Sequence, residues 1–197
     1  MMNSGRGRVI GEWNAGRYIQ KGVMYCEGRN IDKIESVPAN VHTLLCAGNN
    51  ITSLPFMPNV TVVDCSDNQL YGLPSMPNVR VLNCSDNKLL RITGYPELVE
   101  LHCSYNNLVS IDQCDKLVEL SCNNNLLDQL SLFPCLETLI CQVNHLTSIE
   151  RGNRIKRVHC DKNVQVDGVG LVCINWIHAQ DGSNMDVYVR NPSIEDL

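Results

Sequence analysis

VTVVDCSDNQLYGLPSMPN (60–78), VRVLNCSDNKLLRITGYPE (79–97) and LVELHCSYNNLVSIDQCDK (98–116) are three renderings of one 19-residue phrase. Aligned on their cysteines they share L-x-x-L-x-C-x-x-N-x-L-x-x-L, with Val or Ile admitted for Leu. Outward from this stretch the frame takes in Cys26, Cys46, Cys65, Cys84, Cys103, Cys122, Cys141 and Cys160, spaced by one step of 20 and six of 19. Self-similarity at a short fixed period marks a solenoid, in which each unit buries its apolar face only against its neighbours.

Regular turns begin at Val41, Val60, Val79, Leu98, Leu117, Leu136 and Ile155, and an irregular, longer first turn begins at Lys21. Positions three to five of each turn form a strand. Position four (Leu44, Val63, Leu82, Leu101, Leu120, Leu139, Val158) and the cysteine at position six point inward, so period-two alternation sends positions three and five outward. Strands of successive turns pair in parallel at about 4.8 Å, and eight of them span roughly 34 Å. After the strand the chain bends, stranding backbone groups that an amide side chain can serve with both donors and acceptor. That is the structural reading of Asn49, Asn68, Asn87, Asn106, Asn125, Asn144 and Asn163 at position nine, beside the inward Cys65, Cys84, Cys103, Cys122 and Cys141. The return segment is too short for a helix in most turns, and Pro55, Pro58, Pro74 and Pro77 favour extended or polyproline geometry.

The frame resembles the leucine-rich repeat, with Cys where many members carry a third Leu, and the period lies just below that family's usual range. The LPxMPN tails at 54–59 and 73–78 are similar to the short repeats of bacterial effectors and of large DNA viruses. The resemblance covers 21–163. It implies a right-handed solenoid with a parallel β-sheet on one face, extended, polyproline or short 3-10 return segments, little α-helix and β-rich caps. Residues 1–20 are then an N-terminal cap, with Trp13 and Tyr18 covering the open core, because a bare solenoid end exposes aliphatic surface. Residues 164–197 form a C-terminal β-hairpin cap and tail in the same continuous domain. There the frame dissolves, Gln165 falls where Leu belongs, and two β-rich runs flank Asp181-Gly182, with Trp176 or Tyr188 closing the core.

Composition narrows the function classes. Hydrophobic content of 44% with only 5% aromatic makes the core aliphatic and thiol-rich. A net charge of −5 and a pI near 5.5 argue against nucleic acid and membrane surfaces. No run approaches the roughly 18 apolar residues of a membrane helix. The first twenty residues lack the apolar segment of a secretory signal, which points to the cytoplasm, of a host cell or of the producing one. Eleven cysteines then read as reduced thiols, eight of them buried. Cys114, Cys135 and Cys173 stand outside the frame position, and a Cys114–Cys135 disulfide is left open. The three N-x-S/T sequons are by-products of the repeated Asn.

Little in the chain supports catalysis. His102 and His159 share position five but lie three turns apart, about 14 Å, too far to share a metal. His102-Cys103 and His159-Cys160 place their side chains on opposite faces of a strand, so neither can act as a nucleophile–base pair. No CxxC, phosphate-cradling glycine motif or HExxH is present. The expectation is no enzyme, no metal and no cofactor.

A surface remains. Outward positions supply Tyr25, Val62, Asp64, Val81, Asn83, Glu100, His102, Glu119, Ser121, Thr138, Arg157 and His159 as candidate partner-binding residues. They grade from apolar through acidic to basic, and Val62 and Val81 are apolar where solvent is expected. Solenoids present such extended faces to partners. The reading is a non-catalytic module binding a protein partner through its strand face, monomeric or weakly self-associating. The resemblance implies a viral or bacterial adaptor or decoy acting on host proteins. The rival is a structural or assembly protein that self-associates through its cap hairpin and edge strands or is packaged in a particle.

Overall fold

The computed structural model describes residues 7–150, 154–162, 164–166, 171–175 and 184–189, with backbone alone for residues 12, 13 and the last two stretches. Arg151, Asn163, Trp176, the Asp181-Gly182 turn and the side chains of Trp13, Cys173 and Tyr188 lie outside the described residues.

Eight short strands run in parallel along one face: Val23–Tyr25, Thr43–Leu45, Val62–Asp64, Val81–Asn83, Glu100–His102, Glu119–Ser121, Thr138–Ile140 and Arg157–Asp161. They pair in strict register, so that Val63 lies beside Leu82, Leu82 beside Leu101 and Leu120 beside Leu139. A one-residue slip would turn the whole inward column to solvent, which is why identical repeats hold the register. This is a leucine-rich repeat solenoid with almost no helix.

The first seven of these strands are three residues long because the backbone leaves the sheet at each cysteine. The Cys65 N–H still donates to the Asn83 carbonyl at 2.8 Å, and two residues later the chain turns left-handed. Position eight has positive φ in seven turns: Gly28, Gly48, Asp67, Asp86, Tyr105, Asn124 and Val143. Position nine then closes the bend. Asn68 Oδ1 accepts from the Ile51 N–H of the preceding turn at 3.0 Å, while its Nδ2 donates to the carbonyls of Cys46, Cys65 and Ser66 at 2.9, 3.2 and 3.0 Å. Asn106 and Asn125 repeat the same four bonds, and both are buried.

The return side buries positions eleven and seventeen, and position fourteen except at Leu73 and Leu130, which are half-buried. Position seventeen is filled by Met57, Met76, Tyr95, Cys114 and Phe133, all buried. Cys114 is therefore a core residue of a further column, and Cys135 lies two residues past Phe133 of the next turn, half-exposed, with Arg154 Nη1 at 4.0 Å from its Sγ. Both are free thiols, and the disulfide considered from sequence is not formed. Turns without the double proline gain a little return-side pairing, Arg91–Ile92 with Ser110–Ile111 and Ser148–Ile149 with Gln165–Val166.

The ends are built differently. Arg8–Ile10 pairs in parallel with Ile31–Ile34 on the return side. A single helical turn, Glu12–Ala15, and a 3-10 turn, Gly16–Tyr18, carry the chain across to the sheet. Ile19–Gln20 then pairs antiparallel with Val23–Tyr25. Lys21 and Gly22, at φ 50° and 76°, make the two-residue turn that both left-handed positions require. Gly22 has a second reason to be glycine, since a Cβ there would lie 2.5 Å from His42 Nε2.

At the other end Asn184–Val189 pairs antiparallel with Arg157–Asp161, and Leu171–Asn175 pairs with it in turn. The eighth strand therefore runs on through Cys160. Asp161 then meets the seventh turn with its side chain, accepting from the Val143 N–H at 3.0 and 2.9 Å. In the inner turns that acceptor is a backbone carbonyl, as when Asp67 N–H donates to Ser85 at 3.0 Å. Gln165 does not occupy a leucine place: it lies beside Ser148, exposed, while Val164 is buried. The last turn is two residues shorter than the frame at this point, because Ser148 and Gln165 are 17 apart rather than 19.

Candidate interaction surface

The parallel register brings the outward residues of the strand face into two rows. Position three runs Val62, Val81, Glu100, Glu119, Thr138, Arg157, and position five runs Asp64, Asn83, His102, Ser121, Ile140, His159. Neighbours at strand spacing shade one another, so Val62 and Val81 are half-buried rather than free apolar surface. Tyr25, at the first strand, is 42% exposed.

These residues are not equivalent. Asp64 Oδ1 accepts from the Ser66 N–H at 3.0 Å and from the Ser66 hydroxyl at 2.6 Å, and Asn83 Oδ1 accepts from the Ser85 N–H at 3.2 Å. Both side chains are turned onto the bend that follows their own strand. Ser121 Oγ lies 3.2 Å from Ser104 Oγ. Arg157 and His159 are engaged as well. Glu100 and Glu119 differ from all of these. They are side by side in register, and among the described residues neither carboxylate takes a hydrogen bond or an ion pair. Like charges directly opposite across a strand pair destabilise a sheet, so the pair works against the fold's own stability.

A second surface was missed from sequence. Tyr71, Leu90 and Val109 occupy position twelve of three successive turns and are 62%, 57% and 50% exposed. Lys88 Nζ lies 5.4 Å from the Tyr71 ring centroid and donates to Gln69 Oε1 at 2.7 Å. The signal was available as three large apolar residues at a position the frame leaves free.

The thiol column is chemically quiet. Burial pushes the Cys84 and Cys122 thiols up to about 12, and raises those of Cys65 and Cys103 well above their ordinary range. A thiol is a nucleophile or a metal ligand only as thiolate, so these side chains act as small apolar groups. His102 and His159 are separated by Ser121 and Ile140 along position five. Among the described residues no three His, Cys, Asp or Glu are grouped to hold a metal, and no helix is long and apolar enough to cross a membrane.

The arrangement is that of a repeat scaffold bearing its features on a surface. Among solved structures the chain is similar to YopM from Yersinia enterocolitica WA-314, with 22% identity and a TM-score of 0.57. The match covers 74% of this chain and 41% of that one, and the likeness is one of fold. No family model and no curated protein matches the chain.

Proposed function

We propose that this protein is a non-catalytic interaction module that binds a protein partner through the middle of its strand face. The observation that carries the reading is the Glu100–Glu119 pair: two carboxylates in register, without a partner among the described residues, in the centre of an eleven-stranded sheet. Lys or Arg side chains on a partner would relieve their mutual repulsion, and His102, Ser121 and Thr138 would border the contact. Val62 and Val81 would supply the adjoining apolar part. Ten free cysteines among the described residues fit a reducing compartment, in keeping with work in the cytoplasm of a host or producing cell.

The test is a comparative pull-down. Glu100→Lys/Glu119→Lys reverses the patch, and Asp128→Lys changes an exposed charge on the return side. A protein captured by wild type and by Asp128→Lys but lost from the double variant, with all three folded by circular dichroism, supports the strand face. Capture that survives the double reversal overturns it.

A second reading, self-association, is favoured by one observation. The exposed Tyr71–Leu90–Val109 row gives a copy of this chain an apolar strip to cover. Sedimentation would decide, since a monomer over a hundredfold concentration range rules that reading out.

A further inference from the structure

The first turn departs from the frame at position nine, where Arg29 replaces asparagine. The bonding of the bend explains why this is tolerated. An asparagine there would reach back to a preceding turn, and the first repeat has none. The Cys26 carbonyl and the Ile31 N–H are served from the second turn instead, each at 2.9 Å from Asn49. The Arg29 side chain is thus released from holding the bend, while its backbone is pinned on both sides. Its N–H donates to Asn49 Oδ1 at 3.1 Å and its carbonyl accepts from Arg8 Nη1 at 2.8 Å.

The guanidinium lies over the Tyr18 ring, 5.7 Å from the centroid, and Tyr18 itself packs on the core. With Arg17, Ile19, Gln20 and Tyr25 these two side chains line an open cleft of about 520 Å³. Among the described residues neither Arg17 nor Arg29 forms an ion pair. Among the described residues, a chain of net charge −5 carries here two guanidiniums without an acidic partner, one of them already stacked and held. A guanidinium fork matches a carboxylate bidentately, and a stacked arginine loses less freedom on binding than a loose lysine. The tyrosine rings offer an apolar wall with a wet edge.

We propose that this cleft binds an acidic peptide segment, its Asp or Glu carboxylates on Arg17 and Arg29 and a neighbouring apolar side chain against Tyr18 and Tyr25. The site goes beyond the Glu100–Glu119 patch and requires the opposite charge in its ligand; Tyr25 alone belongs to both surfaces. The fold so presents a cationic pocket at one end of an acidic strip, and a partner reading both would be polarised along its contact.

Fluorescence anisotropy tests this with three probes bearing a neutral fluorophore: a peptide alternating Glu with Leu and Phe, its Gln twin, and oligothymidylate. The Glu peptide is expected to bind at least tenfold more tightly than the Gln twin, with an affinity that falls as salt rises. Arg17→Gln/Arg29→Gln should weaken it tenfold or more. These substitutions leave the Arg29 backbone bonds in place, and circular dichroism with an unchanged urea midpoint confirms the fold. Glu100→Lys/Glu119→Lys should leave Glu-peptide binding intact, which separates this site from the strand-face reading. Equal binding of the two peptides, absence of binding, or indifference to the double Gln variant overturns the proposal. So does tighter binding of oligothymidylate at the same arginines.

Discussion

At the residue scale, position eight is the strained point of seven turns. A left-handed backbone costs an L-residue about 1–2 kcal/mol, less for Gly, Asn and Asp. Five of the seven occupants are of those types, but Val143 is β-branched at φ 55°. Its side chain is 56% exposed and so gains little from packing, while its N–H is fixed by the Asp161 carboxylate. Val143→Asn should therefore raise stability by about 1 kcal/mol by urea denaturation, and Asn124→Val should lower it by a similar amount. A Val143→Asn protein less stable than wild type would mean that valine makes a contact the geometry does not show. The turn-forming character of position eight was present in the sequence as Gly, Gly, Asp, Asp and Asn. Tyr105 and Val143 masked it, because the inter-turn bonds hold the bend even where the residue resists.

At the scale of the single turn, the asparagine does what the cysteine cannot. Asn106 joins the Leu89 N–H to the carbonyls of Cys84, Cys103 and Ser104, linking two turns through one amide. Asn106→Ala should cost about 1–3 kcal/mol or somewhat more, since several buried groups lose their partner together. Asn106→Asp distinguishes the donors from the acceptor. The carboxylate could still accept from Leu89 but would face three carbonyl oxygens, so it should be at least as destabilising as alanine. Equal stability of Asp and wild type would sink the role assigned to Nδ2. The 19-residue frame, the parallel sheet and the sparse helix were legible at this scale because every turn repeats the same letters. Position seventeen was not, since Met, Met, Tyr, Cys and Phe share only a buried place. Nor was the shortened last turn, which follows from pairing with a strand outside the frame. Of the candidate surface, the sequence supplied the outward rows but not their engagement. Which carboxylates are turned back onto the chain, as Asp64 is, and which stand unpaired among the described residues, as Glu100 and Glu119 do, depends on bonds two residues along and one turn across.

At the scale of the whole molecule, the core is a file of thiols running the length of the solenoid, and it makes stability depend on alkaline pH. Burial raises the Cys26, Cys84 and Cys122 thiols from their ordinary value near 9 to about 12, and Cys160 to about 11. Unfolded, the same thiols lose their protons around pH 9. The folded form then holds protons that the unfolded chain has released, so the thiol contribution is complete below pH 9 and is lost as pH rises toward 12. Each thiol fully titrated in the unfolded state but not in the folded one steepens the loss by about 1.4 kcal/mol per pH unit. Eight acting together would remove about 11 kcal/mol per unit once all are titrated in the unfolded chain, against a typical total of about 5–15 kcal/mol. Urea midpoints should therefore be level from pH 6 to 8 and fall steeply above pH 9. Cys84→Ala/Cys122→Ala should be less stable at pH 7 through the cavities left behind, yet should lose stability less steeply with pH. Parallel pH profiles for wild type and the double variant would show that the column does not hold its protons. Stability in a solenoid is a sum of nearest-neighbour interfaces, so the same titration acts at every turn and no single repeat can shield the rest. A core so uniform and so inert leaves the differences between turns to the outward positions of Glu100 and Glu119 and to the bend, where Arg29 stands in the asparagine column.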